Sequence, residues 1–409
     1  MAFVSKRLQL LSQLSFRWYF VSCLLATFGS GLSYVTLSWL ILQVNNSVAA
    51  VAILMLCFWL PTVLLGPFLG VIVDGYSRKW LMIGGNAIRG IVLIFFSSYF
   101  SHHIASYIIY FLTILLGIGF SVYLPAAIAL IREIVILDDL LYANFTIDIA
   151  YEMGNVAGMG LAGFFVACLS PAPTILVTGI IFILSTFALM RVKPTLQQIK
   201  KRKISYHFII DDFKIGLVYL RKHPKLILIY SVQLLILVSF MTTPVLLAPF
   251  VKNVLQGSIS QFGQIDAALS IGVVVGGIFM PWIADRWGLT KILMILCLLL
   301  AIFFSWFGAN RIIIGAEILY FFIGLCLAVW PLMVTKAQHL TKFRFQARMQ
   351  SIFNSLSGIL ILLIYLFVDI GSYYISIQCM YLFEVALVLS AFCLLWCYRR
   401  HVLTKNKVA

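Results

Sequence analysis

Asp148 and Glu152 stand four residues apart inside an otherwise apolar stretch, so a helix there carries both carboxyl groups on one face. Glu152 lies the deeper of the two. A carboxyl group that takes a proton from one side of a barrier and releases it to the other does the chemistry of proton coupling. Ionisable groups at membrane depth are costly, and those that persist usually have a function. Glu317, in a later apolar stretch, ranks after Glu152 and ahead of Asp148 as a proton-coupling candidate. Arg89, Asp369 and Glu384 lie in apolar stretches too, but solvation, a structural hydrogen bond or an ion pair accounts for them as readily as a mechanism. Asp266 opens its stretch and is expected near the surface.

A second kind of chemistry is electrostatic. The run Gly70-Val71-Ile72-Val73-Asp74-Gly75-Tyr76-Ser77-Arg78-Lys79 separates two long apolar segments, and Ile283-Ala284-Asp285-Arg286-Trp287-Gly288-Leu289-Thr290-Lys291 echoes it half a chain later. A carboxylate at one helix end and an arginine across a tight turn can pair with neighbouring helix ends. Such pairs form in one conformation and break in another, which makes each loop a latch. The latch candidates are Gly70, Asp74, Arg78 and Lys79 in the first half and Asp285, Arg286, Gly288 and Lys291 in the second. Arg132 and Glu133 are the expected partners of Asp74 and Arg78. The plainer account makes Arg78 and Lys79 topology signals and Asp74 a helix cap.

What must position these groups is a set of membrane helices. The chain of 409 residues is 63% hydrophobic and 10% charged, with a mean hydropathy of +1.07; soluble proteins carry about 25% charged residues. One crossing needs roughly 20 apolar residues. That rule gives twelve spans, at 17–42, 48–73, 80–100, 104–131, 142–169, 173–190, 226–251, 262–284, 291–309, 312–335, 349–369 and 375–398. The expected organisation is a six-helix bundle over 1–190, a basic linker with an amphipathic helix over 191–225, a second six-helix bundle over 226–398 and a tail over 399–409. The first helix is expected to be a retained span rather than a signal peptide.

On this map 26 of the 29 Lys and Arg residues fall on one side, which places the termini and linker in the cytoplasm. Topology thus explains the net charge of +16, with anionic lipid headgroups as its partners and no nucleic acid. The eight cysteines lie in apolar spans without C-x-x-C spacing, and no metal cluster, P-loop or dinucleotide fingerprint is present in the sequence, so no cofactor or metal is expected. In the fifth span Gly154, Gly158 and Ala162 give the small-residue spacing that lets helices approach closely.

Over essentially its full length the chain resembles the major facilitator superfamily. The resemblance rests on Gly70, Asp74, Arg78 and Lys79, with Ser77 in place of a glycine, and on the second copy at Asp285, Arg286, Gly288 and Lys291. Within the superfamily it is most similar to the drug:proton antiporter group that includes macrolide efflux pumps and the enterobactin exporter. That likeness rests on Pro125-Ala126, Asp138-Asp139 and Ala143-Asn144. Met159 occupies the place where that group often carries the proline of a Gly-Pro pair.

The resemblance implies a two-bundle fold in which the first, fourth, seventh and tenth helices surround the substrate path. The cavity candidates on them are Tyr34, Tyr110, Ser121, Tyr123, Gln233, Thr242, Thr243, Tyr320 and Trp330. Aromatic walls with few charges suit an amphipathic cargo. The function implied is proton-coupled export of a siderophore or macrolide-like drug from the bacterial inner membrane, by a monomer that is not an enzyme. A lysophospholipid flippase or a metabolite importer is the alternative within transport, and a non-transporting receptor or scaffold the alternative outside it.

Overall fold

One turn without proline or glycine shows how this chain reverses in a bilayer. Asn46 closes the first helix in the left-handed region at φ 46°, its N–H donating to the Leu42 carbonyl. Ser47 Oγ then accepts from the Ala50 N–H at 3.1 Å and starts the next helix. The computed structural model describes residues 9–100, 105–136, 139–194, 215, 217–341 and 343–405.

The helices are α1 (Leu14–Asn45), α2 (Val48–Gly75), α3 (Arg78–Phe100), α4 (Ser106–Ile134), α5 (Leu140–Leu169), α6 (Pro171–Met190), α7 (Pro224–Asn253), α8 (Ile259–Trp287), α9 (Leu289–Ala309), α10 (Ile313–Cys326), α11 (Val329–Leu340), α12 (Phe343–Gly371) and α13 (Ile377–Lys405). Among the described residues ten helices are long and apolar enough to cross a membrane, and Ile313–Cys326 and Leu356–Gly371 are shorter apolar helices. With no water inside a bilayer to satisfy backbone groups, helices meet that need within each segment. The protein is an all-α membrane protein.

The tenth span is not the continuous helix expected over 312–335. It breaks at Leu327–Ala328 into α10 and α11. Pro331 explains the break. It has no N–H to offer the Leu327 carbonyl, and its ring crowds that carbonyl in a helix. The Leu327 oxygen accepts instead from Trp330 N–H at 2.9 Å. Pro125, Pro244 and Pro249, by contrast, stay inside α4 and α7 without interrupting them.

The chain divides into two compact units, Met1–Lys203 with Ser258–Ala267, and Ile204–Gly257 with Ala268–Ala409. In the first, α1 packs along α5 and α6, and α3 packs along α4 and α6. The Ser258–Ala267 segment lies against α1 and α5, with Phe262 stacked on Trp39 at 6.3 Å between ring centroids. In the second unit α13 packs on α7 and α9. Its core is a buried aromatic cluster in which Phe307 meets Phe250 at 4.9 Å, Tyr320 at 4.8 Å and Tyr381 at 5.0 Å.

Most of the linker, including Phe213, lies outside the described residues. Its end does not. Tyr219 is buried with Leu226 of α7 and Met349 and Ile352 of α12, while Leu217 and Leu220 pack against them. The apolar face that sequence periodicity assigns to the membrane surface is spent, over these residues, on the second unit.

Candidate functional site

At one end of the first unit α3 begins with a cation pair facing α4 and α6. Arg78 Nη1 donates to Glu133 Oε1 at 2.6 Å, with the two side chains 12% and 7% exposed. Lys79 Nζ donates to the carbonyl of Met190, the last residue of α6, at 2.9 Å. A cation on a helix C-terminus satisfies a carbonyl that has no intrahelical partner. Gly70 and Asp74 lie on α2, and their side chains fall outside those described, as does that of Asp285 on α8. In the second copy of the motif Arg286 sits over the Trp282 ring at 5.2 Å and Lys291 over Trp287 at 5.6 Å. Gly288 has φ +91° and opens α9, a conformation that a side chain would strain.

The acid pair lies on α5. Asp148 is exposed and Glu152 half-buried, one turn apart on the same face. The opposite face of α5 is fixed against α1: a Cβ added at Gly154 would collide with Thr27 Oγ1, and one at Gly158 with the Phe28 carbonyl oxygen. Glycine at both positions brings the two backbones together. Packing on one side leaves the carboxyl groups on the other. Glu317, on α10, is half-buried.

Between α1, α3, α4, α5 and α6 lies a polar core that sequence reasoning largely missed. Arg89 is 2% exposed near the middle of α3. Its Nη1 donates to Ser30 Oγ at 3.2 Å and its Nη2 to Asn86 Oδ1. The guanidinium lies over Phe182 at 4.3 Å and over Tyr123 at 4.7 Å from the ring centroids. Its Nε has no hydrogen-bond partner. Of the accounts the sequence leaves open for Arg89, the described residues show hydrogen bonds and no ion pair; hydroxyls, an amide and π faces surround the guanidinium.

Asn86 Nδ2 continues the network to Ser185 Oγ at 2.8 Å, and Ser22 and Ser185 exchange contacts at 2.9 Å. Tyr123 Oη donates to Cys23 Sγ at 3.7 Å, and Cys23 Sγ to Tyr151 Oη at 3.9 Å. Tyr151 adjoins Glu152 in sequence. The available signal was Asn86, a polar residue three positions before Arg89 in an apolar helix.

The cavity candidates divide by burial. Ser121 donates to the Ile118 carbonyl at 2.8 Å, Thr242 to Val238 at 2.7 Å and Thr243 to Ser239 at 2.9 Å. These hydroxyls are buried and return to their own helices. Tyr123, Gln233 and Tyr320 are also buried, the last donating to the Thr243 carbonyl at 3.5 Å. Tyr34, Tyr110 and Trp330 keep partial exposure, with Tyr34 edge-on to Phe262 and Trp330 tilted against Phe353. Asp266, expected near the surface, is 6% exposed and its Oδ2 has no hydrogen-bond partner. The second unit holds one more such acid, Glu384, which is fully buried.

Comparison with known proteins gives this architecture its class. The chain is 24% identical over 287 residues to the uncharacterized MFS-type transporter YvqJ of Bacillus subtilis (strain 168), covering 67% of this chain. The match spans 66% of YvqJ, just under two thirds of its length. Among solved structures, the nucleoside transporter NupG superposes with a TM-score of 0.76 at 14% identity, over 94% of this chain and 99% of that one. A bacterial homologue of the iron transporter ferroportin, in its inward-facing state, gives 0.72 at 14% identity over 94% and 98%. A bacterial homologue of the human lysosomal transporter Spinster gives 0.70 at 10% identity over 96% and 98%. At such identities these likenesses describe the fold. The family and structural neighbours are transporters, not enzymes. The profile of the family described as "Transmembrane secretion effector" matches residues 6–396, and the chain belongs to that family of major facilitator transporters.

Proposed function

We propose that this transporter is a proton-coupled exporter of amphipathic small molecules, of the siderophore or macrolide-like drug class. It works in a bacterial cytoplasmic membrane with both termini inside, and Glu152 is its principal proton carrier. The observation that carries the reading is the placement of α5. Its glycine face is committed to α1, and its other face carries Asp148 and a half-buried Glu152. A carboxyl group at that depth can alternate between a neutral form, suited to the apolar interior, and a charged form, suited to water.

Arg89 supports the same reading. It holds a fixed positive charge in the first unit, and the Tyr123–Cys23–Tyr151 contacts join it to α5. The family description, a secretion effector, favours the outward direction. The half-exposed aromatics Tyr34, Tyr110 and Trp330 favour an apolar or aromatic cargo over a sugar. The latch reading rests on the Arg78–Glu133 pair, which ties the start of α3 to the end of α4 within the first unit and parts as that end of the unit rearranges.

The test is untargeted mass spectrometry of cells and spent medium, comparing a strain lacking the gene with one re-supplied with it. The expected result is a compound retained by the first strain and released by the second, under iron limitation or drug challenge. Redistribution of lysophospholipids with no soluble compound moving would replace export with lipid flipping. Reduced internal levels of a medium component in the deletion strain would reverse the direction.

A further inference from the structure

Glu384 lies in the third turn of α13 and is used by none of the steps above. It is 0% exposed, and neither carboxyl oxygen has a hydrogen-bond partner. The Ser239 and Thr242 hydroxyls of α7 adjoin its carboxyl group without closing a well-formed hydrogen bond. Ser239 Oγ is itself buried without a partner, while Thr242 is turned to the Val238 carbonyl. An ionised carboxylate with neither cation nor hydrogen bond is costly to bury, and the neutral acid far less so.

The groups facing Glu384 offer no counter-charge. On α7 the cations Lys225 and Lys252 lie at the helix ends, and on α9 Lys291 lies in the first turn. Among the described side chains the other titratable groups on the packed elements are Tyr230 of α7, Cys297 of α9, Tyr365 and Asp369 of α12, and Cys379, Tyr381, Cys393 and Cys397 of α13 itself. Among the described residues no cation pairs with Glu384.

An apolar pocket lies between α7, α12 and α13, and Phe383, the neighbour of Glu384 in sequence, is part of its lining. Ile375 and Cys379 line it near the α12–α13 connection, and Phe367, Phe383 and Thr242 complete the lining used here. Phe367 and Phe383 stand 5.0 Å apart between ring centroids. Thr242 is therefore shared by the pocket and the surroundings of the carboxyl group.

We propose that Glu384 is a proton-binding site of the second unit, loaded and emptied through this pocket, with the Ser239 and Thr242 hydroxyls orienting the bound proton. The proton comes from water at the α12–α13 end and returns there, interconverting carboxylate and carboxylic acid with no other bond made or broken. The site is separate from Glu152 and stands whatever the cargo or direction of transport.

The test uses the full-length protein in lipid nanodiscs and dicyclohexylcarbodiimide, an apolar reagent that modifies protonated carboxyl groups. Modified peptides are quantified by mass spectrometry across a pH series. The expected result is modification of the Glu384 peptide at a rate that falls about tenfold per pH unit once the group ionises. Phe383→Trp, which fills the pocket, is expected to slow it several-fold, and Glu384→Gln to abolish it. Modification of Glu384 only after unfolding, or at a rate indifferent to pH in the folded protein, would overturn the proposal and leave a sealed structural acid.

Discussion

Arg78, the first residue of α3, donates to Glu133, the penultimate residue of α4, across 2.6 Å. The pair ties the starting turn of one span to the closing turn of another, at positions neither sealed from solvent nor fully in it. Removing one member leaves the other charge partly buried and alone. Glu133→Gln or Arg78→Gln is expected to lower stability by about 1–3 kcal/mol. In the charge-reversed double variant, Arg78→Glu with Glu133→Arg, much of that loss is expected to return. Thermal melting of the wild type, the two glutamine variants and the Arg78→Gln/Glu133→Gln double variant gives the coupling energy, and strictly additive losses would show that the contact contributes nothing.

Close approach of α1 and α5 makes a separate prediction. Gly158→Ala puts a methyl group on the Phe28 carbonyl and Gly154→Ala puts one on Thr27, so each is expected to destabilise the protein by about 1–3 kcal/mol. Gly84→Ala on α3 is the control, since nothing lies within 4 Å of its added Cβ. Helix propensity alone then makes that change neutral or stabilising by up to about 1 kcal/mol. Melting temperatures of the three variants check the order.

Arg89 is held by geometry that lysine cannot reproduce. A planar guanidinium stacks between Phe182 and Tyr123 while reaching both Ser30 and Asn86. Arg89→Lys keeps the charge but places a compact, strongly hydrated ammonium there, and is expected to cost about 2 kcal/mol. Arg89→Gln, which removes the charge, is expected to be no worse than Arg89→Lys in stability and much worse in transport. Equal stability of wild type and Arg89→Lys would show that the ring contacts are dispensable.

Much of the fold was legible in the sequence because the bilayer permits few solutions: length and hydropathy point to an all-α membrane protein and to most of its spanning helices. What stayed hidden was which way side chains point within a span. An apolar helix offers no polar face to read, so the depth of Glu384 was legible while its complete burial without a counter-charge was not. Asp266 sits within the first turns of its span, where solvation is the natural guess, yet the segment around it packs onto α1 and α5. The break at Leu327 illustrates the same difficulty. Pro61, Pro67, Pro125, Pro244, Pro249 and Pro281, in or at the ends of spans, share Pro331's chemistry, and local sequence does not say which carbonyls neighbours will satisfy.

The charge distribution predicts orientation. Reporters fused between Arg191 and Lys225, and after Lys405, are expected to register as cytoplasmic, and one in the Asn45–Ser47 turn as external. Opposite signals would invert the map and with it the reading of Arg78 and Glu133 as a cytoplasmic latch.

The central claim is that Glu152 carries the coupling proton. It is tested in proteoliposomes loaded with the compound that mass spectrometry identifies, by comparing transport driven by an imposed pH gradient with exchange of labelled for unlabelled compound. Glu152→Gln mimics the protonated state permanently. Gradient-driven transport by that variant is expected to fall at least about a hundredfold, the scale of removing a positioned proton-transfer group, while exchange persists. Gradient-driven transport by Glu152→Gln at the wild-type rate would contradict the account.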